Sequence, residues 1–167
     1  IDIALKDNQK WKNELFECSV LHIPGHTSGH ICIYIKELDA LFTGDTLFSL
    51  GCGRIFEGTY EEMFKSLSDL KKFPLDTKIY CGHEYTKKNS DFCLSLDSKN
   101  SKLIDKIKEI NKNINNGHPT IPSTLKDELE CNIFLRSDNI EIQKQLGINK
   151  DDPIKTFSKL RDLKDNF

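Results

Sequence analysis

The chain has 167 residues, of which 30% are charged and 37% hydrophobic, and its formal net charge is −2. This length accommodates one domain with a buried core, with or without a small appendage. The near-neutral charge and the lack of a basic block argue against a nucleic-acid partner, and no apolar run is long enough to cross a bilayer. The six cysteines include no C-x-x-C pair. We therefore expect a reducing, cytoplasmic compartment, with a targeting segment before Ile1 left open.

The apolar periodicity predicts strands in the first half of the chain and mostly helices in the second half. The predicted strands cover residues 1–5, 15–23, 31–35, 40–43 and 77–81, and the third and fourth form a hairpin. The predicted helices cover residues 59–72, 84–96 and 102–114, and a last helix begins at Pro153 with Asp152 as its N-cap. Thr59 and Glu62 have the spacing of a capping box at the start of the first helix.

Three of the strand-like runs end in the same way, with a small residue followed by a side chain that can bind metal. These side chains are His26, Asp45 and His83. Each one alone is more often a hydrogen-bonded turn residue than a ligand. If the three strands share a sheet and run in the same direction, however, the side chains emerge at one edge. Imidazole and carboxylate ligands suit zinc, iron or manganese, so the pattern predicts a metal site there.

Six motifs follow one another along the chain: PGHTSGH, LFTGDTLF, GCGRIFEGT, YCGHEYT, PSTLKDELECNIFLR and RDLKDNF. In this order they resemble the metallo-β-lactamase superfamily and, within it, the glyoxalase II (hydroxyacylglutathione hydrolase) family. The first two are shared across the superfamily, whereas the later ones are more specific to the hydrolase. The resemblance implies an αββα sandwich of the α/β (α+β) class, here without its N-terminal part. It also implies a division into residues 1–97, the second half of the lactamase-like domain, and residues 98–167, a helical region that recognises glutathione.

The resemblance further implies the roles of individual residues. His26 and His83 correspond to ligands of two different divalent metal ions, with zinc preferred and iron or manganese as alternatives. Asp45 corresponds to the catalytic carboxylate that bridges them. Supporting roles fall to His30, Thr27 and Thr46. The substrate-binding positions are Arg54, Phe56, Tyr85, Arg161 and Lys164; Arg54 stands where lysine is frequent, and Phe56 stands where a tyrosine can occur.

The implied reaction is hydrolysis of S-D-lactoylglutathione to D-lactate and glutathione. The family carries an H-x-H-x-D-H run roughly fifty residues before the position of His26. That run is absent here, because the five histidines of the chain are His22, His26, His30, His83 and His118. Four of seven expected ligands are thus missing, and we expect the chain to be a fragment that is inactive alone.

Two alternatives to the hydrolase are left open by the sequence. One is a persulfide dioxygenase-like enzyme with a single iron ion. The other is a catalytically silent fragment that binds glutathione or associates with its own copies, because a half sandwich would leave apolar edges exposed.

Overall fold

The computed structural model describes residues 3–167. Residues 1 and 2, where the predicted first strand begins, lie outside the described part, and residues 3–5 form no strand. The elements in chain order are β1 (Lys10–Lys12), β2 (Glu17–His22), β3 (Ile31–Ile35), a 3₁₀ turn (Lys36–Leu38), β4 (Ala40–Gly44), β5 (Leu47–Phe48), β6 (Gly51–Cys52), α1 (Tyr60–Leu70), β7 (Lys78–Cys81), α2 (Thr86–Leu96), α3 (Ser101–Asn115), β8 (Ser123–Thr124), α4 (Leu125–Cys131), α5 (Ile140–Gln145) and α6 (Pro153–Asp165).

Six of the strands form one mixed sheet in the order β1-β2-β3-β4-β7-β8, while β5 and β6 form a separate small hairpin. Strands β1 to β4 pair antiparallel with their neighbours, and α1 crosses over to place β7 parallel to β4. Strands β2, β4 and β7 therefore run in the same direction. Their carboxyl ends meet at one edge of the sheet, as the sequence predicted.

The ends of two helices follow directly from their sequence signals. The Thr59 hydroxyl accepts a hydrogen bond from the Glu62 amide (3.1 Å) while the Glu62 carboxylate accepts one from the Thr59 amide (2.8 Å), so the predicted capping box is confirmed. At α6, the Asp152 carboxylate accepts a hydrogen bond from the Lys155 amide (3.0 Å) and Pro153 occupies the first turn. These contacts satisfy amide groups that have no partner inside the helix.

Two short helices were missed by the sequence analysis. The helix α4 begins with a second capping box, between Thr124 and Asp127. The helix α5 begins at Asn139, whose side chain accepts hydrogen bonds from the amides of Glu141 and Ile142. Both are too short to show a clear apolar period, so only their capping residues could have indicated them.

The core lies between one face of the sheet and the helices. Cys32, Leu41 and Ile79 project from adjacent strands onto this face and are at most 1% exposed. They pack with apolar side chains from five helices: Met63, Leu67, Leu70, Phe92, Cys93, Leu103, Ile110, Leu125, Phe157 and Leu160. Burial of this shared apolar surface attaches the helical second half of the chain to the sheet.

The opposite face of the sheet is also apolar but carries no helix. A groove of about 440 Å³ there is lined, within residues 3–167, by apolar side chains only: Ile3, Leu5, Trp11, Phe16, Cys18, Ile33, Ile35 and Phe42. Phe42 is 40% exposed. We expected exposed apolar sheet edges, but the outermost strands β1 and β8 are short and leave little edge to expose. The exposed apolar surface is instead this face of the sheet. One sheet with helices on a single face is half of an αββα sandwich.

Across residues 3–167, the structure contains no helix that is both long and apolar enough to span a membrane.

Candidate functional site

Asp45 lies immediately after β4, where the chain turns sharply. Gly44 has a φ of +51°, and a Cβ atom at this position would overlap the His30 imidazole. The His30 Nε2 atom accepts a hydrogen bond from the Asp45 amide at 2.9 Å. Burial lowers the pKa of His30, which favours the neutral ring that this acceptor role requires. His30 therefore fixes the backbone of Asp45, and only glycine allows the ring to approach so closely.

His26 and His83 approach Asp45 from the two neighbouring loops. The Nε2 atom of His26 and the Nε2 atom of His83 each lie 3.5 Å from the same oxygen, Oδ2 of Asp45. The Nδ1 atom of His26 is 2.8 Å from the Arg54 carbonyl oxygen, to which it donates a hydrogen bond when protonated. This contact leaves the His26 Nε2 lone pair free to act as a ligand.

Two glycines allow these loops to close around Asp45. A Cβ atom at Gly53 would overlap the backbone carbonyl oxygen of Asp45, and one at Gly82 would overlap its Oδ1 atom. The Gly82 amide also donates a hydrogen bond to the Gly44 carbonyl at 2.9 Å. The glycine-rich loop and the loop after β7 are thus packed directly against the carboxylate. We call His26, Asp45 and His83 together the metal rim.

The side chains of the metal rim are of the types that bind divalent cations. Their number, however, is smaller than a metal site usually has. Two atoms bound to one cation at about 2.1 Å each are commonly separated by roughly 3–3.5 Å, which agrees with both imidazole–carboxylate distances. Within the described residues, no group of three or more His, Cys, Asp and Glu side chains is arranged to hold a metal ion. The carboxylate instead stands between two imidazoles, as a carboxylate shared by two cations would. Among residues 3–167, each such cation would then have two of these side chains as ligands.

The other predicted supporting residues make backbone contacts near the rim. The Thr46 hydroxyl is fully buried and lies 3.3 Å from the Ile23 carbonyl oxygen, to which it donates. The Thr27 carbonyl accepts a hydrogen bond from the Gly25 amide at 3.2 Å. Both contacts hold the loop that carries His26.

The metal rim opens into a cavity of about 450 Å³. The lining residues are His26, Asp45, Phe48, Cys52, Arg54, Phe56, His83, Tyr85, Lys88, Asn89, Arg161 and Lys164. All five predicted substrate-binding residues are among them. Four of the lining residues are cations, namely Arg54, Lys88, Arg161 and Lys164, and we call these the cationic wall. Among the described residues, Asp45 is the one carboxylate in the lining, so the cavity is suited to an anionic ligand.

Arg161 is the most deeply buried residue of the cationic wall, at 3% exposure. Its Nη1 atom donates to the Cys52 carbonyl (2.8 Å), and its Nη2 atom donates to the Asp165 carboxylate (3.0 Å). The guanidinium also lies 5.1 Å from the centre of the Phe134 ring. As predicted from its position on α6, the side chain points into the protein.

Lys164 is held by aromatic rings and one carbonyl. Its ammonium donates to the Lys88 carbonyl at 3.0 Å and lies about 5 Å from the ring centres of Phe92 and Phe167. Burial lowers the pKa of Lys164 to about 8. The group is still mostly charged at neutral pH, and it has no carboxylate in hydrogen-bonding contact among the described residues.

Aromatic side chains line the passage between the metal rim and the cationic wall. The rings of His83 and Tyr85 are stacked with centres 5.0 Å apart, and Phe56 lies 5.0 Å from His26. Phe48 contacts Tyr85 edge-on at 5.4 Å. Phe56 and Tyr85 are both more than half exposed. They can therefore contact a ligand directly.

The β5–β6 hairpin, which contributes Phe48 and Cys52 to the cavity, is fixed by polar side chains that the sequence analysis did not identify. The fully buried Glu128 accepts hydrogen bonds at its Oε2 atom from the amide of Leu50 and the side chain of Asn132, both at 2.9 Å. Leu50 has the unfavourable φ of +56°. Burial raises the pKa of Glu128 to about 7. These residues belong to the motif PSTLKDELECNIFLR, but only the structure shows what they contact.

Lys88, Asn89 and Asp165 were also missed by the sequence analysis. Lys88 and Asn89 lie on α2 and line the cavity. Asp165 lies 3.3 Å from the Nε atom of Arg54, in addition to its contact with Arg161. In the sequence all three look like ordinary surface residues of helices.

Two protein-family models divide the chain between them. Residues 16–83 match the metallo-beta-lactamase superfamily, and residues 84–167 match the C-terminus of hydroxyacylglutathione hydrolase. The superfamily implies divalent metal ions.

Similar proteins extend along the whole chain. The hydroxyacylglutathione hydrolase of Pelagibacter ubique is 55% identical over 167 residues, and that of Methylococcus capsulatus is 40% identical over 167 residues. Each alignment covers 100% of this chain but only 64% and 65% of the respective relative. The chain thus spans slightly less than two thirds of the length of these relatives.

Solved structures share the fold at low sequence identity. The crystal structure of ETHE1 from Myxococcus xanthus aligns with a TM-score of 0.58 at 20% identity, covering 97% of this chain and 59% of that one. The BLEG-1 B3 metallo-beta-lactamase aligns with a TM-score of 0.55 at 22% identity, covering 80% and 48%. These alignments show the lactamase-like fold. The family itself is shown by the two family models and is supported by the similar proteins. The chain belongs to the hydroxyacylglutathione hydrolase family, within the metallo-beta-lactamase superfamily.

Proposed function

We propose that the protein is a thioesterase that hydrolyses S-D-lactoylglutathione to D-lactate and glutathione. The observation that carries this proposal is that one cavity is lined both by two imidazoles and a carboxylate and by four cations. Glutathione is a tripeptide with two carboxylates, so its thioester can place the carboxylates on the cationic wall while the acyl group reaches the metal rim. The family of the chain supports the same reaction.

The cationic wall would bind the glutathione part of the substrate. We propose that Arg161 and Lys164 hold a carboxylate, because a charged donor forms its strongest hydrogen bonds with a charged acceptor. Arg54, on the glycine-rich loop, would contact a second polar group of the tripeptide. Tyr85 and Phe56 would pack against the peptide between the wall and the rim.

At the metal rim, His26 and His83 would each hold one divalent cation, and Asp45 would bridge the two. Ions bound there would supply a hydroxide nucleophile and a Lewis acid for the thioester carbonyl. His30 and the Arg54 carbonyl keep the ligand atoms oriented through their contacts with Asp45 and His26. We propose zinc as the metal, with iron or manganese accepted by the same ligands. The six free thiols are compatible with a cytoplasmic protein.

For the 167-residue chain by itself we propose a narrower activity: binding of glutathione without turnover. All four residues of the cationic wall lie within the chain, whereas among the described residues each cation would have two side-chain ligands. The proposed division at residues 97 and 98 places Arg161 and Lys164 in the second region and the whole metal rim in the first. Arg54 and Tyr85 of the first region then complete the wall.

We also propose that the isolated chain associates with its own copies through the helix-free sheet face. The apolar groove around Trp11, Ile33 and Phe42 would bury its surface between two copies. Size-exclusion chromatography should show a species larger than a monomer, and a monomer at every concentration would contradict the proposal.

Calorimetric titration with glutathione tests the ligand. We expect the chain to bind glutathione and Lys164→Met to bind it about tenfold more weakly, because a desolvated charge–carboxylate contact is lost. Lys155→Met removes an exposed lysine of the same helix and is the matched control, for which we expect no change. Equal binding by both variants would contradict the assignment of the wall.

The reaction is tested on a chain that carries the H-x-H-x-D-H ligands in front of this sequence. Loaded with zinc, it should hydrolyse S-D-lactoylglutathione. Oxygen consumption with glutathione persulfide, and no thioester hydrolysis, would favour the persulfide dioxygenase instead.

A further inference from the structure

Asp165 connects two arginines of the cavity through a single oxygen atom. Its Oδ1 atom accepts a hydrogen bond from Nη2 of Arg161 at 3.0 Å and lies 3.3 Å from Nε of Arg54. One arginine comes from α6 and the other from the glycine-rich loop, far apart in the sequence. The carboxylate therefore ties the end of α6 to the loop that carries Arg54.

The position of Asp165 is unfavourable for the helix itself. It is the last residue of α6, where the carbonyl end of the helix dipole repels negative charge. Lysine or arginine would stabilise the helix better at this position. The i,i+4 ion pair of Asp165 with Arg161 offsets part of this cost within the helix, and the ion pair with Arg54 is the contact that reaches outside the helix.

The contact with Asp165 involves only one of the three side-chain nitrogens of Arg54. Asp165 engages the Nε atom, so the two terminal nitrogens of Arg54 are not needed for this ion pair. Arg54 is 60% exposed in its side chain and lines the cavity. A guanidinium held at Nε presents its terminal nitrogens in a fixed direction, which matches the geometry of a carboxylate.

We propose that Asp165 is a positioning residue that orients Arg54, with Arg161, for a carboxylate of the ligand. This inference deepens the proposed function and relies on glutathione being the ligand. A second effect opposes it, since Asp165 is itself negative and repels an anionic ligand. The two effects have opposite signs, so a substitution can separate them.

The test compares Asp165→Asn with Asp162→Asn in the 167-residue chain. Asp162 lies three residues earlier on α6, contacts the Tyr60 hydroxyl at 2.5 Å and, among the described residues, forms no ion pair with either arginine. Both variants remove one negative charge near the wall. We expect Asp165→Asn to bind glutathione about three- to tenfold more weakly, and Asp162→Asn to bind it equally or slightly more tightly. Equal or tighter binding by Asp165→Asn would overturn the inference.

A blocked ligand distinguishes positioning from a general loss of structure. Glutathione diethyl ester has no free carboxylate, so it should bind more weakly than glutathione. We expect the unsubstituted chain and Asp165→Asn to bind the ester with the same affinity. If Asp165→Asn weakens the ester as much as it weakens glutathione, the role of Asp165 is structural and the inference is wrong.

Nuclear magnetic resonance of the arginine Nε–H groups tests, without any ligand, whether Asp165 holds Arg54. We expect the Arg54 Nε–H signal to shift and exchange faster in Asp165→Asn but not in Asp162→Asn. An unchanged Arg54 signal would overturn the inference even if the chain bound no glutathione. Failure of the unsubstituted chain to bind glutathione would count against the proposed function alone.

Discussion

The metal rim and the cationic wall are neighbours in one cavity, but they differ in how completely this chain builds them. On the wall, Arg161 has a carbonyl, a carboxylate and an aromatic ring as partners, and Lys164 has a carbonyl and two rings. At the rim, two imidazoles share one carboxylate oxygen, and the described residues contain no group of three or more His, Cys, Asp and Glu side chains arranged around a metal ion.

The wall and the rim differ because different parts of the chain supply the contacts that hold their side chains. On the wall, Arg161 and Lys164 lie on α6, which packs on the core, so burial fixes these two side chains, whereas Arg54 and Lys88 are exposed. At the rim, by contrast, His26 and His83 each face the single carboxylate of Asp45, and the described residues bring no third ligand side chain to either. Recognition of glutathione and activation of water should therefore be separable in experiments on this chain.

The largest expected effect is on catalysis. We expect the 167-residue chain, even with added zinc, to show no hydrolysis of S-D-lactoylglutathione above the rate of the metal alone. An enzyme with a complete site accelerates such reactions by roughly 10⁶-fold or more, so the two outcomes are easy to distinguish. The assay follows loss of the thioester absorbance, with Asp45→Asn as the control for residual metal at the rim. Turnover by the chain that is lost in Asp45→Asn would show that the rim is complete without further ligands.

The next effect concerns Glu128, which holds the β5–β6 hairpin of the cavity. Its folded-state pKa is raised from 4.5 to about 7 by burial. Between these values the folded protein binds more protons than the unfolded chain. The free energy of unfolding should therefore fall as the pH rises through this window, by up to about 3 kcal/mol, and change little from this source above it.

Glu128→Gln should remove this pH dependence, because the amide does not titrate. Urea denaturation at pH 5 and pH 8 measures the difference for each variant. Glu130→Gln, on the same helix, is the matched control and should keep the dependence of the unsubstituted chain. An equal dependence in Glu128→Gln would show that the carboxylate is not the buried titrating group.

A smaller effect is expected from Lys164, whose pKa burial lowers to about 8. Only the protonated ammonium attracts a carboxylate, so glutathione binding should weaken as the pH rises through 8. We expect a loss of up to about tenfold between pH 7 and pH 9. Lys164→Arg, which stays charged, should show a flatter profile in the same titrations. Identical profiles would place the ligand carboxylate elsewhere on the wall.

The smallest effect is expected at the contact between α1 and α6. Tyr60→Phe removes the hydrogen bond to Asp162 and should lower the free energy of unfolding by about 1 kcal/mol. Glutathione binding should change by less than twofold. Thermal denaturation and titration measure the two quantities, and a large loss of binding would show that the wall depends on how α6 docks.

Much of the fold could be predicted from local sequence. The strands ending before His26, Asp45 and His83, the capping box of α1 and the start of α6 all have short-range signals. The short helices α4 and α5 gave no apolar period, and the run 131–136 is buried without forming a strand. Their conformation depends on contacts with the hairpin and the helices around them.

For the site, the sequence alone determined which residue types stand at the ends of the strands, and the family motifs indicated Arg54, Tyr85, Arg161 and Lys164. Only the tertiary structure decided that His26 and His83 face one oxygen of Asp45, and that Glu128 and Asp165 hold the cavity together. The physical reason is distance along the chain. A cap or a strand end is set by residues a few positions away, whereas Asp165 meets Arg54 only because α6 and the glycine-rich loop pack on the same core.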